Sequence, residues 1–144
     1  MKSSYFCGIA AILLALAIVR AAEPELTGDL RAIQGKWRVW HSKDDHTDFE
    51  VKGNTFTMVR HVSEVAGDAW TGTFVIDEEP TPKHMTWTNV KNVRTGKQTL
   101  EINRCIYELH GDTWLLIGGV KDRPAHFYSG DGNSPKAWIL QREK

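Results

Sequence analysis

The sequence has few cysteines. Only Cys7 and Cys105 are present, and Cys7 lies in an N-terminal segment that we expect to be removed. The remaining chain would then hold a single thiol, which excludes an internal disulfide, so burial of apolar side chains and strand pairing must hold the fold. We expect Cys105 to be a small buried side chain within a strand; an intermolecular disulfide or a reactive thiol is the alternative.

An excess of either charge is also missing. The chain of 144 residues carries 18 Lys and Arg against 18 Asp and Glu, a formal net charge of zero at pH 7. Without a basic face or a charged tail, nothing in the composition favours nucleic acid or an anionic membrane as a partner.

Signatures of catalysis and of metal binding are absent as well. The sequence has no Gly-x-Ser-x-Gly elbow and no His-Glu-x-x-His helix, and no two of its six histidines are two residues apart on one strand. His41, Asp44, Asp45 and His46 lie close together in sequence, but a solvated turn is the simpler interpretation. We therefore predict a protein that is not an enzyme, with no catalytic residue, no cofactor and no metal site.

One long apolar run exists, at the N-terminus. It extends from Tyr5 to Val19, follows Lys2, and is succeeded by the small residues Ala21 and Ala22. A run of about 15 residues is shorter than the roughly 20 that a membrane-spanning helix needs, and this arrangement is typical of a secretory signal. We predict a signal peptide at residues 1–21 and an exported domain at residues 22–144, periplasmic or extracellular, without membrane insertion after cleavage.

The exported part alternates apolar and polar residues. A short helical turn is predicted within residues 26–33, and after Gly35 the pattern takes a period of two, with turn signals every 8 to 12 residues and a hairpin signal at Gly53-Asn54. Residues 42–47 and 64–68 are predicted as turns. The pattern indicates an all-β fold, an antiparallel barrel of about eight strands.

Tryptophan is the compositional excess, with six residues. Trp37 in the first strand and Arg142 in the last are predicted to close the barrel, with the guanidinium stacked on the indole. Four other aromatic residues are candidates for a ligand wall, although a small barrel can instead be filled by its own side chains; they are Trp70, Phe74, Trp87 and Tyr107. Trp40 and Trp114 could alternatively mark an exposed patch for a protein partner.

Four short motifs occur in order along the exported part. They are residues 29–37, which end in Gln34-Gly35-Lys36-Trp37; residues 106–115, with Tyr107-Glu108-Leu109 before Gly111-Asp112; Arg123-Pro124 before Phe127; and Arg142 after the last apolar strand. Together they resemble the small exported lipocalin-like domains of planctomycete-type bacteria, a family with no assigned activity. The resemblance implies a lipocalin-like barrel and an envelope or extracellular location, and it implies no reaction.

These observations predict a function only in outline. We expect an exported, non-enzymatic domain that binds a small apolar or amphipathic ligand in its barrel. The alternative is a protein-interaction module of the cell envelope with a solidly packed barrel. The volume inside the barrel distinguishes the two.

Overall fold

The computed structural model describes residues 25–119, 121–128 and 136–144. The predicted signal peptide, residues 1–21, lies outside the described residues. Within the described ranges, no helix has the length and hydropathy needed to cross a membrane.

Eight antiparallel strands form a closed barrel in which each strand pairs with its neighbours in the chain and the last pairs with the first. A short helix, α1 (Gly28–Ala32), precedes them. The strands are β1 (Gly35–Ser42), β2 (Asp45–Lys52), β3 (Thr55–Val62), β4 (Val65–Asp77), β5 (Lys83–Asn92), β6 (Gln98–His110), β7 (Thr113–Gly119) and β8 (Trp138–Arg142). The predicted fold class, an eight-stranded antiparallel barrel with a helical turn before its first strand, is confirmed.

Two of the turns between strands are shorter than predicted. Residues 42–47 were expected to be a turn, but β1 and β2 are joined by residues 43 and 44 alone, and Asp45, His46 and Thr47 belong to β2. The prediction is wrong there because His46 and Thr47 are buried side chains that pair with β1, despite their polar character. Similarly, β4 begins at Val65 inside the predicted turn at residues 64–68. The hairpin at Gly53 is where predicted, and Gly53 has the positive φ of 59° that favours glycine.

Alternate residues of each strand point inward. One half of the interior is filled by aromatic side chains: Trp37 and Phe49 each pack edge-on against Trp114 with ring centroids 5.5 Å apart. Trp114 is fully buried, so the prediction that it forms an exposed patch with Trp40 is wrong for Trp114. It stands at an inward position of β7, whereas Trp40, at an outward position of β1, is 52 % exposed.

Closure of the barrel depends on a short seam. Strands β1 and β8 pair through Trp37 with Arg142 and through Arg38 with Gln141. The Arg142 guanidinium lies over the Trp37 ring, 4.1 Å from its centroid, and donates hydrogen bonds to the carbonyl of Gln34 at 2.8 Å and to that of Ala32 at 2.5 Å. The same guanidinium contacts Asp112 at 3.0 Å. One side chain thus joins β8 to the segment that enters β1.

The segment from α1 to β1 covers this end of the barrel. Ile33 is fully buried, and its carbonyl accepts a hydrogen bond from Trp37 Nε1 at 2.8 Å. Gln34 binds the β2–β3 turn through both polar atoms of its amide, donating to the Gly53 carbonyl at 3.0 Å and accepting from the Gly53 amide at 2.7 Å. In the described part of the chain, the barrel is therefore covered at the end where β1 begins.

Candidate ligand-binding cavity

A cavity of about 480 Å³ occupies the half of the barrel away from α1. Its volume falls within the range of roughly 300–1,000 Å³ that is usual for small-molecule sites. Its lining includes the buried Leu116 and the exposed Lys136, so it extends from the core to the surface. The barrel is therefore a cup: packed and covered at one end, hollow at the other.

Three tryptophans form the apolar walls. They are Trp70 on β4, Trp87 on β5 and Trp138 on β8. Trp87 also packs on Phe56, with ring centroids 4.6 Å apart, and lies 6.4 Å from the Trp138 ring. Trp87 is thus the boundary between the aromatic core and the cavity. Flat aromatic walls of this kind suit a ligand with an apolar body.

Asn103 is the polar side chain that lies among these apolar groups. Its amide oxygen is buried and has no hydrogen-bond partner in the described part of the chain. The neighbouring strand makes room for this amide, since a Cβ atom on Gly118 would come within 2.7 Å of both its polar atoms. A buried polar group without a partner is costly, and rotation about the soft χ2 torsion can present the amide to a ligand.

Cys105 lines the same cavity and is fully buried, as the sequence predicted. Its Sγ lies 3.8 Å from the carbonyl of Asn103. Burial raises the pKa of the Cys105 thiol to about 12, although the charge of Arg123 acts in the opposite direction. The thiol therefore stays protonated at neutral pH and contributes an apolar surface rather than a nucleophile.

The rim of the cup is polar. A second cavity of about 450 Å³ shares Met58, Trp70 and Trp138 with the first and adds His41 and Arg60. Arg60 forms a two-point ion pair with Asp45, with N to O distances of 2.8 and 2.5 Å. Burial lowers the pKa of His41, outweighing the opposing charge of Asp45. Apolar walls below a polar rim suit an amphipathic ligand with its polar end toward solvent.

The four predicted wall residues lie in different parts of the barrel. Trp70 and Trp87 line the cavity. Phe74 is buried beside Trp87 in the strand register, within the core cluster. Tyr107 lies at the covered end, where its hydroxyl donates to Asp29 at 3.1 Å; burial raises the pKa of Tyr107, and the Asp29 carboxylate adds to the shift. Contact of any of these residues with a ligand remains a prediction.

Three residues that line the cavity were not among the predicted wall residues: Asn103, Met58 and Trp138. One signal was available for Asn103: it is four residues before Tyr107 on β6, and alternate residues of a strand share a face. Because Tyr107 was already placed inward, Asn103 and Cys105 had to be inward too, nearer the open end. Trp138 was predicted to lie in the last strand but was not named among the wall residues.

Comparison with known proteins gave no relative. No family model, no curated protein and no solved structure matches the chain.

Proposed function

We propose that this chain is a binding protein that holds one small amphipathic molecule in the open half of its barrel. The cavity of about 480 Å³ carries this proposal, with its tryptophan walls and the buried amide oxygen of Asn103, which has no hydrogen-bond partner among the described residues. The apolar body of the ligand would lie between Trp70, Trp87 and Trp138, and a hydrogen-bond donor would reach Asn103. Its charged or polar end would stay at the rim.

We also propose that the protein is exported, binds rather than catalyses, and is related to the exported lipocalin-like domains that its motifs resemble. The apolar run at residues 5–19 supports export. The protonated state of the Cys105 thiol supports binding over thiol chemistry. The closed antiparallel barrel with a short helix before β1 agrees with the lipocalin-like resemblance in fold.

The alternative function, a protein-interaction module, required a solidly packed barrel. Among the described residues, the aromatic core fills the half near α1, and the cavity lies in the other half. The interior therefore favours a small-molecule ligand over a protein partner on an outer face.

A fluorescence titration tests the proposal. The probe is 1-anilinonaphthalene-8-sulfonate, a flat anionic molecule that becomes fluorescent in apolar surroundings. We expect saturable binding of one equivalent to the purified protein. Met58→Trp, which places a larger side chain in both cavities, should abolish it.

The matched control is Val75→Trp, which introduces the same side chain at an outward position of β4 that is 66 % exposed. It should bind the probe as the parent does, and thermal melts of both variants identify any that fails to fold. Equal probe binding by a folded Met58→Trp variant and the parent would contradict the proposal, as would the absence of saturable binding.

A further inference from the structure

A second group of side chains converges on the outside of the barrel, away from the cavity. His46 on β2 and His61 on β3 are directly opposite each other in the strand register, and Asp48 follows His46 by two residues on the same face. One ligand-type atom from each of the three residues lies within 4.8 Å of the other two. Two imidazoles and a carboxylate are thus brought together by hairpin geometry alone.

The three groups face one another without bonding. His46 Nε2 is 3.8 Å from Asp48 Oδ1, and His61 Nε2 is 3.5 Å from Asp48 Oδ2. Both distances are longer than an ordinary hydrogen bond of about 2.7–3.2 Å. The two imidazole rings are stacked, with centroids 4.8 Å apart and planes 2° from parallel. Both imidazole Nε2 atoms therefore face one carboxylate across a gap wider than a hydrogen bond.

His46 is the unusual member of this group. It is only 3 % exposed, and its Nδ1 atom has no hydrogen-bond partner in the described part of the chain. The Trp40 ring covers it on one side, with centroids 4.6 Å apart, and His61 covers the other. The ring is therefore held by stacking and by the long contact of its Nε2 atom with Asp48, and this Nε2 is the atom that faces the other two groups.

Arg38 orients the carboxylate of the group. Its Nε donates to Asp48 Oδ1 at 2.6 Å, which leaves Oδ2 directed toward His61. A hydrogen bond of this kind, from a residue that does not itself touch the metal, commonly fixes a carboxylate that binds one.

We propose that His46, Asp48 and His61 form a site for a divalent transition metal, of the class represented by Zn²⁺. Two imidazoles and one carboxylate are the ligands that such ions take, and three protein ligands leave a further position for water. The ring nitrogens bind in the plane of the ring, so the parallel rings must tilt to share one ion. We expect His61, whose side chain is 22 % exposed, to turn about its broad χ2 torsion when an ion binds. This site is independent of the proposed ligand cavity.

Isothermal titration with ZnCl₂ tests the site, using the purified full chain after removal of metals with a chelator. We expect one equivalent to bind. Asp48→Asn and His61→Phe should each weaken binding by more than about tenfold, because loss of a direct ligand costs at least as much as loss of a residue that only hydrogen-bonds to a ligand. His61→Phe keeps a ring to stack on His46 and removes only the nitrogens.

His110→Ala is the matched control, because His110 is an exposed histidine at the end of β6 that pairs with Glu108. It should bind Zn²⁺ as the parent does. In the parent, ¹H–¹⁵N spectra of the histidine rings should show Zn²⁺-dependent shifts for His46 and His61. Absence of one-to-one binding would overturn the proposal, and so would binding that folded His61→Phe and Asp48→Asn variants retain, or shifts confined to other histidines.

Discussion

Replacing Trp37 by alanine should destabilise the protein by about 3–5 kcal/mol, the usual cost of truncating a fully buried tryptophan. Trp37 is fully buried. A buried tryptophan removes roughly 150–250 Å² from water, about 4–6 kcal/mol at 25 cal/mol per Å², and partial collapse of the site recovers some of this. The variant also removes the hydrogen bond from Trp37 Nε1 to the Ile33 carbonyl and the stacking of the Arg142 guanidinium on the indole ring.

The assay is urea unfolding followed by far-ultraviolet circular dichroism, which does not depend on tryptophan emission. Trp40→Ala is the matched control, since Trp40 is on the same strand at an outward position. This replacement should lower the free energy of unfolding by less than about 1 kcal/mol. Trp37→Phe keeps most of the apolar area and loses the Nε1 donor. Its free energy of unfolding should therefore lie between those of the parent and Trp37→Ala. A Trp37→Ala variant as stable as the parent, or no more destabilised than Trp40→Ala, would refute the account of how the barrel closes.

Three further predictions concern the interior and the covered end. Asn103→Leu should leave the free energy of unfolding unchanged or raise it by about 1 kcal/mol, because it removes a buried acceptor that has no partner within the described ranges. Asp29→Ala should cost about 1–3 kcal/mol, because it removes the acceptor shared by Lys83 Nζ at 2.6 Å and the Tyr107 hydroxyl at 3.1 Å. For Cys105, the pKa is raised from its ordinary 9.0 to about 12 in the folded protein, so its contribution to stability is complete below pH 9 and is lost as the pH rises toward 12.

Each of these has its own measurement. For Asn103→Leu, urea unfolding gives the free energy of unfolding. A decrease of more than about 2 kcal/mol would contradict the prediction, because it would show that the Asn103 amide stabilises the fold. For Asp29→Ala the control is Asp68→Ala, which breaks only an exposed ion pair with Arg94 and should cost less than about 1 kcal/mol; equal losses would contradict the prediction. Unfolding between pH 8 and 11 should show a shallower alkaline decline in Cys105→Val than in the parent, and identical slopes would contradict the role given to the thiol.

The architecture could be predicted because its signals are local. The hairpin at Gly53 is specified by one dipeptide, and the inward positions of β5 and β6 follow from their period of two. The contact between Trp37 and Arg142 followed from the expectation that first and last strands are neighbours in a closed barrel. The turn at residues 42–47 was misjudged because polar residues such as His46 are buried there by contacts with neighbouring strands, which local composition does not reveal.

The sites were harder to predict because they depend on register and on depth. Tyr107 was placed correctly on the inner face, but the sequence does not say how far along the barrel the packed core ends and the cavity begins. The pairing of His46 with His61 could have been derived, because both residues lie equally far from the turn at Gly53-Asn54. Histidines that face each other across a hairpin, as His46 and His61 do, are far apart in sequence. The spacing of histidines along one strand therefore does not reveal them.

Native mass spectrometry of the protein purified from its own host tests the central claim most directly. If the open half of the barrel is a ligand site, the parent should carry one bound small molecule that is released on collisional activation, and Met58→Trp, prepared in the same way, should not carry it. Parent and Met58→Trp spectra that both show the unliganded protein, or a protein adduct in place of a small molecule, would contradict the account.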